Sequence, residues 1–99
     1  MNPVVHHPDR LRFELVEQQH LAFATYRLVD RVLVIPYVEA APALRGTGCA
    51  GRLMEGVLAI ARAEGWKVEP LCGYAADYIR RHPQHHDLLE TGDGAPPAP

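Results

Sequence analysis

A glycine-rich loop between an apolar run and an amphipathic pattern holds the clearest chemistry in this 99-residue chain. The apolar run ends at Val38, a proline and glycines follow, and the amphipathic pattern begins near Gly48. Backbone N–H groups at a helix start bind phosphate, and glycines let the backbone approach a bulky anion. Arg45 adds a planar, permanently charged group that matches phosphate oxygens. The loop therefore predicts a pyrophosphate site.

The spacing of the loop differs from that of the familiar nucleotide motifs. It contains no Gly-x-Gly-x-x-Gly, and no Gly-Lys-Ser/Thr follows it, so neither the dinucleotide motif nor the P-loop fits. The run Arg45-Gly-Thr-Gly48-Cys-Ala50 instead resembles the Arg/Gln-x-x-Gly-x-Gly/Ala signature of the GNAT N-acetyltransferase superfamily. In that superfamily the loop binds the pyrophosphate of acetyl-coenzyme A. The plain alternative is a strand-to-helix turn with an exposed arginine.

The resemblance extends to most of the chain, roughly residues 11–89. Blocks at 38–46, 65–72 and 78–83 look like the small single-domain GNAT proteins of the YjdJ type, in the same order and with similar separations. That subfamily usually carries a His-Thr-Glu series where this chain has Tyr37-Val38-Glu39. The replaced histidine favours an alternative function, a non-catalytic acyl-coenzyme A binding or sensing module.

Period-two alternation predicts strands in the first half of the chain. Leu11, Phe13 and Leu15 form one stripe, residues 21–28 a second strand, and the apolar run 32–38 a third that is buried on both faces. Short turns between them predict an antiparallel meander. Pro36 marks either a bulge or an edge strand. A bulge would open a slot beside residues 37–40, and the resemblance implies such a slot for the pantetheine arm.

A helical stripe predicts a helix over 48–64 that Gly65 ends as a left-handed cap. A strand over 66–72 follows, and the right-handed crossover makes it parallel to the third strand. A last helix covers 73–81, and a turn over 84–90 packs through Leu88 and Leu89. The predicted fold class is α/β with a mixed sheet: three-strand meander, crossover helix, parallel strand and C-terminal helix. This is a trimmed GNAT fold without the helical pair that larger members insert between their first two strands.

The predicted domain occupies residues 9–90, between a flexible arm at 1–8 and a disordered tail at 91–99. The formal net charge of −2 disfavours nucleic acid and anionic membranes as partners. No apolar run is long enough to cross a bilayer, and the start of the chain lacks a secretion signal. Cys49 and Cys72 are therefore expected as free thiols in the cytoplasm. A histidine group at 82–86 lacks further ligands at metal spacing, so no metal is expected.

Acetyl transfer to an amine needs a base, an oxyanion donor and an acid for the leaving thiolate. Glu39, the only acid near the end of the third strand, is the candidate base, and its alternative is a solvated surface carboxylate. A backbone N–H near Ala40 is the candidate oxyanion donor. Tyr78 occupies the helix where many GNAT proteins place a tyrosine acid, although it could simply pack. Cys72 precedes a helix N-terminus, where a thiolate is favoured, so it is a nucleophile, an acid or a buried bystander.

The predicted activity is acetyl-coenzyme A-dependent N-acetyl transfer to an unidentified amine on a small molecule or protein. The acceptor could also bind across a homodimer, because so short a chain has little material to wall a pocket. A third possibility is an interaction domain whose exposed fourth-strand edge pairs with a partner. The resemblance implies coenzyme contacts at Val38, Ala40, Arg45, Gly46, Thr47, Gly48, Cys49, Ala50, Gly51, Cys72, Tyr78 and Arg81.

Overall fold

A computed structural model describes residues 2–90 as one five-stranded sheet with two α-helices. The strands are β1 (Val5–His7), β2 (Arg12–Glu17), β3 (His20–Val29), β4 (Val32–Ala40) and β5 (Lys67–Pro70), and the helices are α1 (Cys49–Glu64) and α2 (Gly73–Arg81). The strands lie in the order β1-β2-β3-β4-β5; only the β4–β5 pair is parallel. The mixed α/β class, the crossover helix and the parallel last strand are confirmed.

Two tight hairpins build the antiparallel part of the sheet. Gln18–Gln19 joins β2 to β3, and Asp30–Arg31 joins β3 to β4; all four residues have positive φ. Two-residue turns with positive φ at both positions match the right-handed twist of paired strands. They bring β2, β3 and β4 together in sequence order, which fixes where β4 ends.

One face of the sheet packs against both helices. The apolar stripe of α1 and the buried side of α2 join a single core with the inward-facing residues of β2, β3 and β4. None of the helices over residues 2–90 is long and apolar enough to span a bilayer. The larger buried members of this core are Phe13, Leu15, Leu33, Ile35, Leu44, Leu53, Met54, Val57, Leu58, Val68, Ile79 and Leu89.

The segment expected as a loose arm instead contains a paired strand. Val5–His7 pairs with β2, and the His6 ring stacks on Phe13 with centroids 4.6 Å apart. Val4 is buried, and Asn2 Nδ2 donates to the Gly56 carbonyl at 2.9 Å. A three-residue strand flanked by prolines carries too little periodicity to be recognised in sequence. Residues 2–4 thus form a strap against α1 at Gly56.

Two burial predictions in the first half of the chain were wrong. Leu11 is 50% exposed and precedes β2 with a φ of 53°, so it lies outside the inward stripe. In β4 only Leu33, Val34 and Ile35 are buried, whereas the second half of the strand is largely open. The expected tail at 91–99 lies outside the described residues. The exposed second half of β4 is where the candidate site begins.

Gly56→Ala is expected to destabilise the protein by about 1–3 kcal/mol, because it overpacks the strap. A Cβ at this position would lie 2.6 Å from Asn2 Oδ1 and 2.7 Å from Val4 Cβ. Chemical denaturation of the wild type and the variant measures the difference in free energy of unfolding.

A chain lacking residues 1–4 is the control for this prediction. Without the strap, alanine in place of glycine should stabilise the helix interior by up to about 1 kcal/mol. The sign of the effect should therefore reverse. A stabilising Gly56→Ala in the full chain would show that the strap does not pack on α1.

Candidate functional site

A bulge divides β4 into two halves. The pairing with β3 runs from Arg27↔Val34 directly to Thr25↔Tyr37, so β4 carries one extra residue around Ile35–Pro36. Since β4 lies between β3 and β5, the edge-strand alternative for Pro36 does not apply. Of the two alternatives that the sequence leaves open for Pro36, the structure has the bulge.

The second half of β4 has an open edge. Pairing with β5 reaches Ile35↔Pro70, after which Leu71 and Cys72 both donate N–H groups to the Ile35 carbonyl at 3.0 Å. No strand of residues 2–90 pairs with this edge of 37–40. The opposite edge of this segment pairs with β3. There the Ala41 N–H donates to the Leu21 carbonyl at 2.9 Å.

The backbone groups of this open edge follow from the alternation of an antiparallel ladder. Because Ala41 bonds to β3, Glu39 and Tyr37 do so as well. Val38 and Ala40 therefore direct their N–H and C=O groups away from β3, into the gap beyond β5. The gap offers hydrogen bonds to an extended ligand.

Hydrogen bonds of the Thr47 hydroxyl hold the loop that follows β4 in a compact conformation. Thr47 Oγ1 donates to the Leu44 carbonyl at 2.6 Å and accepts from the Cys49 N–H at 3.3 Å. Leu44 is buried and anchors the loop to the core. Gly46 and Gly48 adopt φ of 79° and 84°, a region that favours glycine. Thr47 thus shapes the loop from inside and does not present its hydroxyl to a ligand.

Four amide groups at this helix start are free to bind an anion. The N–H groups of Gly46, Gly48, Ala50 and Gly51 meet no acceptor among residues 2–90. The first amides of a helix are donors without intrahelical partners, and the helix dipole adds positive potential there. Arg45 is exposed beside them and forms no ion pair within the described part of the chain. The local charge is therefore suited to phosphate.

A cavity of about 280 Å³ lies between this loop and the end of β4. It contains seven of the twelve residues for which a coenzyme contact was expected, and it adds two residues that sequence reasoning did not include, Leu44 and Tyr74. Val38, Thr47, Cys72, Tyr78 and Arg81 do not line it. The lining residues are Ala40, Leu44, Arg45, Gly46, Gly48, Cys49, Ala50, Gly51 and Tyr74.

Tyr74, in the first turn of α2, is the tyrosine that faces the cavity. Its side chain is 41% exposed, and its hydroxyl lies 3.8 Å from the point that a Cβ on Gly51 would occupy. Burial of part of the ring raises the pKa of Tyr74, and so does the nearby Cys49. The hydroxyl therefore stays protonated at neutral pH and can donate a proton.

Tyr78, the predicted acid, is committed to a different contact. Its hydroxyl donates to Glu55 Oε2, and His85 Nε2 lies 2.9 Å from the same oxygen. Burial and the hydrogen bond to Glu55 raise the pKa of Tyr78 well above its ordinary value. Three elements meet at this carboxylate, so Tyr78 fastens α2 to α1. One helical turn separates Tyr74 from Tyr78, and periodicity alone could not distinguish them.

Cys72 and Arg81 lie outside the cavity at opposite ends of α2. Cys72 is the residue before the first turn, half-buried, and neither it nor Cys49 forms a disulfide. No side chain among residues 2–90 forms a hydrogen bond with the Cys72 thiol. Arg81 is 72% exposed and pairs with Asp77 at 3.1 Å. Cys72 is near the open edge of β4, whereas Arg81 belongs to the solvated helix end.

Glu39 projects from the opposite face of the sheet. Val38 and Ala40 pack on the core, so alternation along β4 directs Glu39 and Tyr37 outward. The Tyr37 hydroxyl donates to Glu39 Oε1, and this bond raises the pKa of Tyr37. The open edge of β4 therefore separates the cavity on one face from an exposed carboxylate on the other.

The histidines at 82–86 are engaged by protein groups. His82 Nδ1 lies 2.6 Å from the Tyr78 carbonyl oxygen, and His86 Nε2 lies 3.3 Å from that of Arg80. No group of three or more metal-ligating side chains occurs in the part of the chain that the structure describes.

Two comparisons with known proteins found similarity over most of the chain. A family model described as GCN5-related N-acetyl-transferase matches residues 12–88. The NMR solution structure of a GCN5-like protein from Staphylococcus aureus superimposes with a TM-score of 0.69 at 24% identity, covering 89% of this chain and 88% of that one. At this identity the likeness shows a shared fold. No curated protein matches the chain.

Proposed function

Because the chain belongs to the GCN5-related N-acetyltransferase family, we propose that it transfers an acetyl group from acetyl-coenzyme A to an amine. The observation that carries this proposal is the cavity at the start of α1, which has four free amides and adjoins the open edge of β4. An anion-binding helix start beside an unpaired strand suits a ligand with a phosphate end and an extended amide arm.

The residues present fit coenzyme A. The amides of Gly46, Gly48, Ala50 and Gly51, with Arg45, would hold the pyrophosphate. The N–H and C=O of Val38 and the C=O of Ala40 would pair with the pantetheine amides. When bound, the coenzyme supplies an acetyl group activated as a thioester. Thr47, Tyr78 and Arg81 drop out of the contact set, because their polar groups are engaged elsewhere.

The side chains around the open edge can move the protons that the reaction requires. We propose that Glu39, on the outer face, is the general base that accepts the proton of the attacking amine, directly or through water. The Ala40 N–H would donate to the oxyanion that forms as nitrogen adds to the carbonyl carbon. The Tyr74 hydroxyl would return a proton to the departing sulfur when the carbon–sulfur bond breaks.

The acceptor approaches from the outer face in this proposal. Within residues 2–90 no helix covers that face, so the acceptor pocket is open. An open face accommodates a protein amine as well as a small one, and a second copy of the chain could supply the missing wall. We infer a cytoplasmic setting from the two free thiols.

A second candidate function is a non-catalytic acyl-coenzyme A sensor. The observation that favours it is the hydrogen bond from the Tyr37 hydroxyl to Glu39 Oε1, which makes this oxygen less available as a base. Binding without turnover would identify this function.

Mass spectrometry with isotope-labelled acetyl-coenzyme A and a panel of amines tests the proposed function. The panel should include polyamines, aminoglycosides and lysine-containing peptides. We expect a labelled acetyl group on at least one amine at a rate above the protein-free reaction. Saturable binding with no transfer would favour the sensor, and neither binding nor transfer would refute the acetyltransferase.

Cys72→Ser is expected to keep activity within about threefold of wild type, because the amine attacks the thioester directly. No base contacts the Cys72 thiol among residues 2–90, so nothing in this region activates it as a nucleophile. Peptide mapping after incubation with acetyl-coenzyme A alone should find no acetyl group on Cys72. The buried Cys49 serves as the internal comparison. An acetyl-Cys72 peptide that forms as fast as turnover would establish a covalent relay instead.

A further inference from the structure

We propose that Glu17 and Arg52 form a clamp that holds the phosphate-binding loop ready for coenzyme A. The clamp is defined by these two side chains and the Thr47 carbonyl. It rests on the proposed function, since it gives a role to residues beside the cavity that neither line it nor act in the chemistry. Glu17 and Arg52 are thus positioning residues.

The geometry joins three elements through one guanidinium. Arg52, in the first turn of α1, donates to both oxygens of Glu17 at the end of β2: Nε to Oε2 at 2.7 Å and Nη2 to Oε1 at 2.8 Å. Nη2 also donates to the Thr47 carbonyl at 3.0 Å. A bidentate arginine–carboxylate pair fixes the orientation of the two side chains as well as the distance between them. The loop is therefore tied to the sheet and to the helix at the residue before Gly48.

A restraint is needed at this point of the loop. Gly46 and Gly48 adopt left-handed conformations, and α1 has no side-chain cap at Gly48. Glycine has the largest conformational freedom to lose when it is ordered. A loop that is already ordered spares a ligand this cost, so preorganisation increases affinity. The Arg52 contact to Thr47 restrains the segment that carries the free amides.

The charges of the pair support a clamp over a direct phosphate contact. The hydrogen bond from Arg52 lowers the pKa of Glu17, and the bond to Glu17 raises the pKa of Arg52, so both are charged at neutral pH. The guanidinium is thereby neutralised locally. Burial, and then Glu17, raise the pKa of the thiol of Cys49, the first residue of α1, which keeps that position uncharged. Arg45, which forms no ion pair within residues 2–90, remains available to a phosphate at the loop.

The test is calorimetric binding of coenzyme A and of pantetheine, which lacks the pyrophosphate, to Glu17→Gln, Arg52→Gln and the double variant. We expect each single variant to bind coenzyme A about fivefold more weakly and the double variant to be no weaker than either, since all three remove the same clamp. Pantetheine binding should be unchanged. Arg62→Gln is the matched control, because it breaks a similar two-pronged pair with Asp87 far along α1.

Amide hydrogen exchange of the ligand-free protein gives a readout independent of binding. The Thr47 and Cys49 amides should exchange faster in Glu17→Gln and at the wild-type rate in Arg62→Gln. Tighter coenzyme A binding by Glu17→Gln would overturn the clamp, because it would make Arg52 a phosphate ligand that Glu17 holds back. Unchanged exchange and affinity would reduce the pair to a surface contact. A wild-type protein that binds no coenzyme A would refute the proposed function, whereas the exchange result decides whether the loop is clamped.

Discussion

Gly48→Val is expected to weaken coenzyme A binding by about ten- to a hundredfold. Gly48 has a φ of 84°, and a Cβ there would lie 3.0 Å from Arg52 Nη1. Forcing valine into this region costs about 1–3 kcal/mol. Relaxation would turn the amide away and lose a charged hydrogen bond worth about 1.5–3 kcal/mol. Each 1.4 kcal/mol is about tenfold in affinity, and calorimetry measures the change.

Two further variants are compared with Gly48→Val: one removes a phosphate-binding side chain, and the other is a control. Arg45→Ala should cost about ten- to a hundredfold, because it removes a guanidinium but leaves the backbone intact. Gly73→Ala is the control: it lies at the start of α2 with open space around a Cβ, so affinity should not change. If Gly48→Val and Arg45→Ala both bind coenzyme A like the wild type, the phosphate site lies elsewhere.

Tyr74→Phe is expected to lower kcat by about a hundredfold without changing coenzyme A affinity, since a proton donor acts in the transition state. Tyr78→Phe, one turn away, should lose little kcat and about 1 kcal/mol of stability, because it removes the hydrogen bond to Glu55. Steady-state kinetics and denaturation measure both. The raised pKa of Tyr74 also predicts that activity persists to a higher pH than an ordinary tyrosine, with a pKa of about 10, would allow.

The two tyrosine variants together show whether Tyr74 or Tyr78 is the acid. Equal kcat for Tyr74→Phe and wild type would remove Tyr74 from the chemistry. A large loss of kcat confined to Tyr78→Phe would restore the acid to the residue that the family resemblance suggested. Losses in both would indicate that the contact between α1 and α2 positions the reacting groups.

Local signals predicted much of the fold. The stripe and glycine cap of α1 and the bounds of α2, Gly73–Arg81, follow from periodicity and stop residues. Pro36 indicated a bulge or an edge strand, because proline cannot donate to a ladder, and the structure has the bulge. The strand at Val5–His7 was missed, since three residues are too few to show a recognisable period. It is held by the pairing partner and by Gly56.

The site was predictable where it is continuous in sequence and was missed where it depends on packing. The loop from Arg45 to Gly51 is one continuous segment, and its arginine and glycines indicate anion binding directly. Tyr74 and Tyr78 lie on one stripe, so the choice between them depends on how α2 crosses α1 at Gly51. Glu17 and Arg52 are 35 residues apart and meet only through the sheet. No local pattern contains that contact.

We expect coenzyme A to bind at the start of α1 with its arm along the open edge of β4. A titration of the isotope-labelled protein with acetyl-coenzyme A, followed by two-dimensional NMR of the backbone amides, tests it most directly. We expect saturable binding of one ligand per chain, with the largest shifts at Arg45–Gly51, Val38, Ala40 and Tyr74. Saturation with these amides unmoved, or no saturable shift at all, would contradict it.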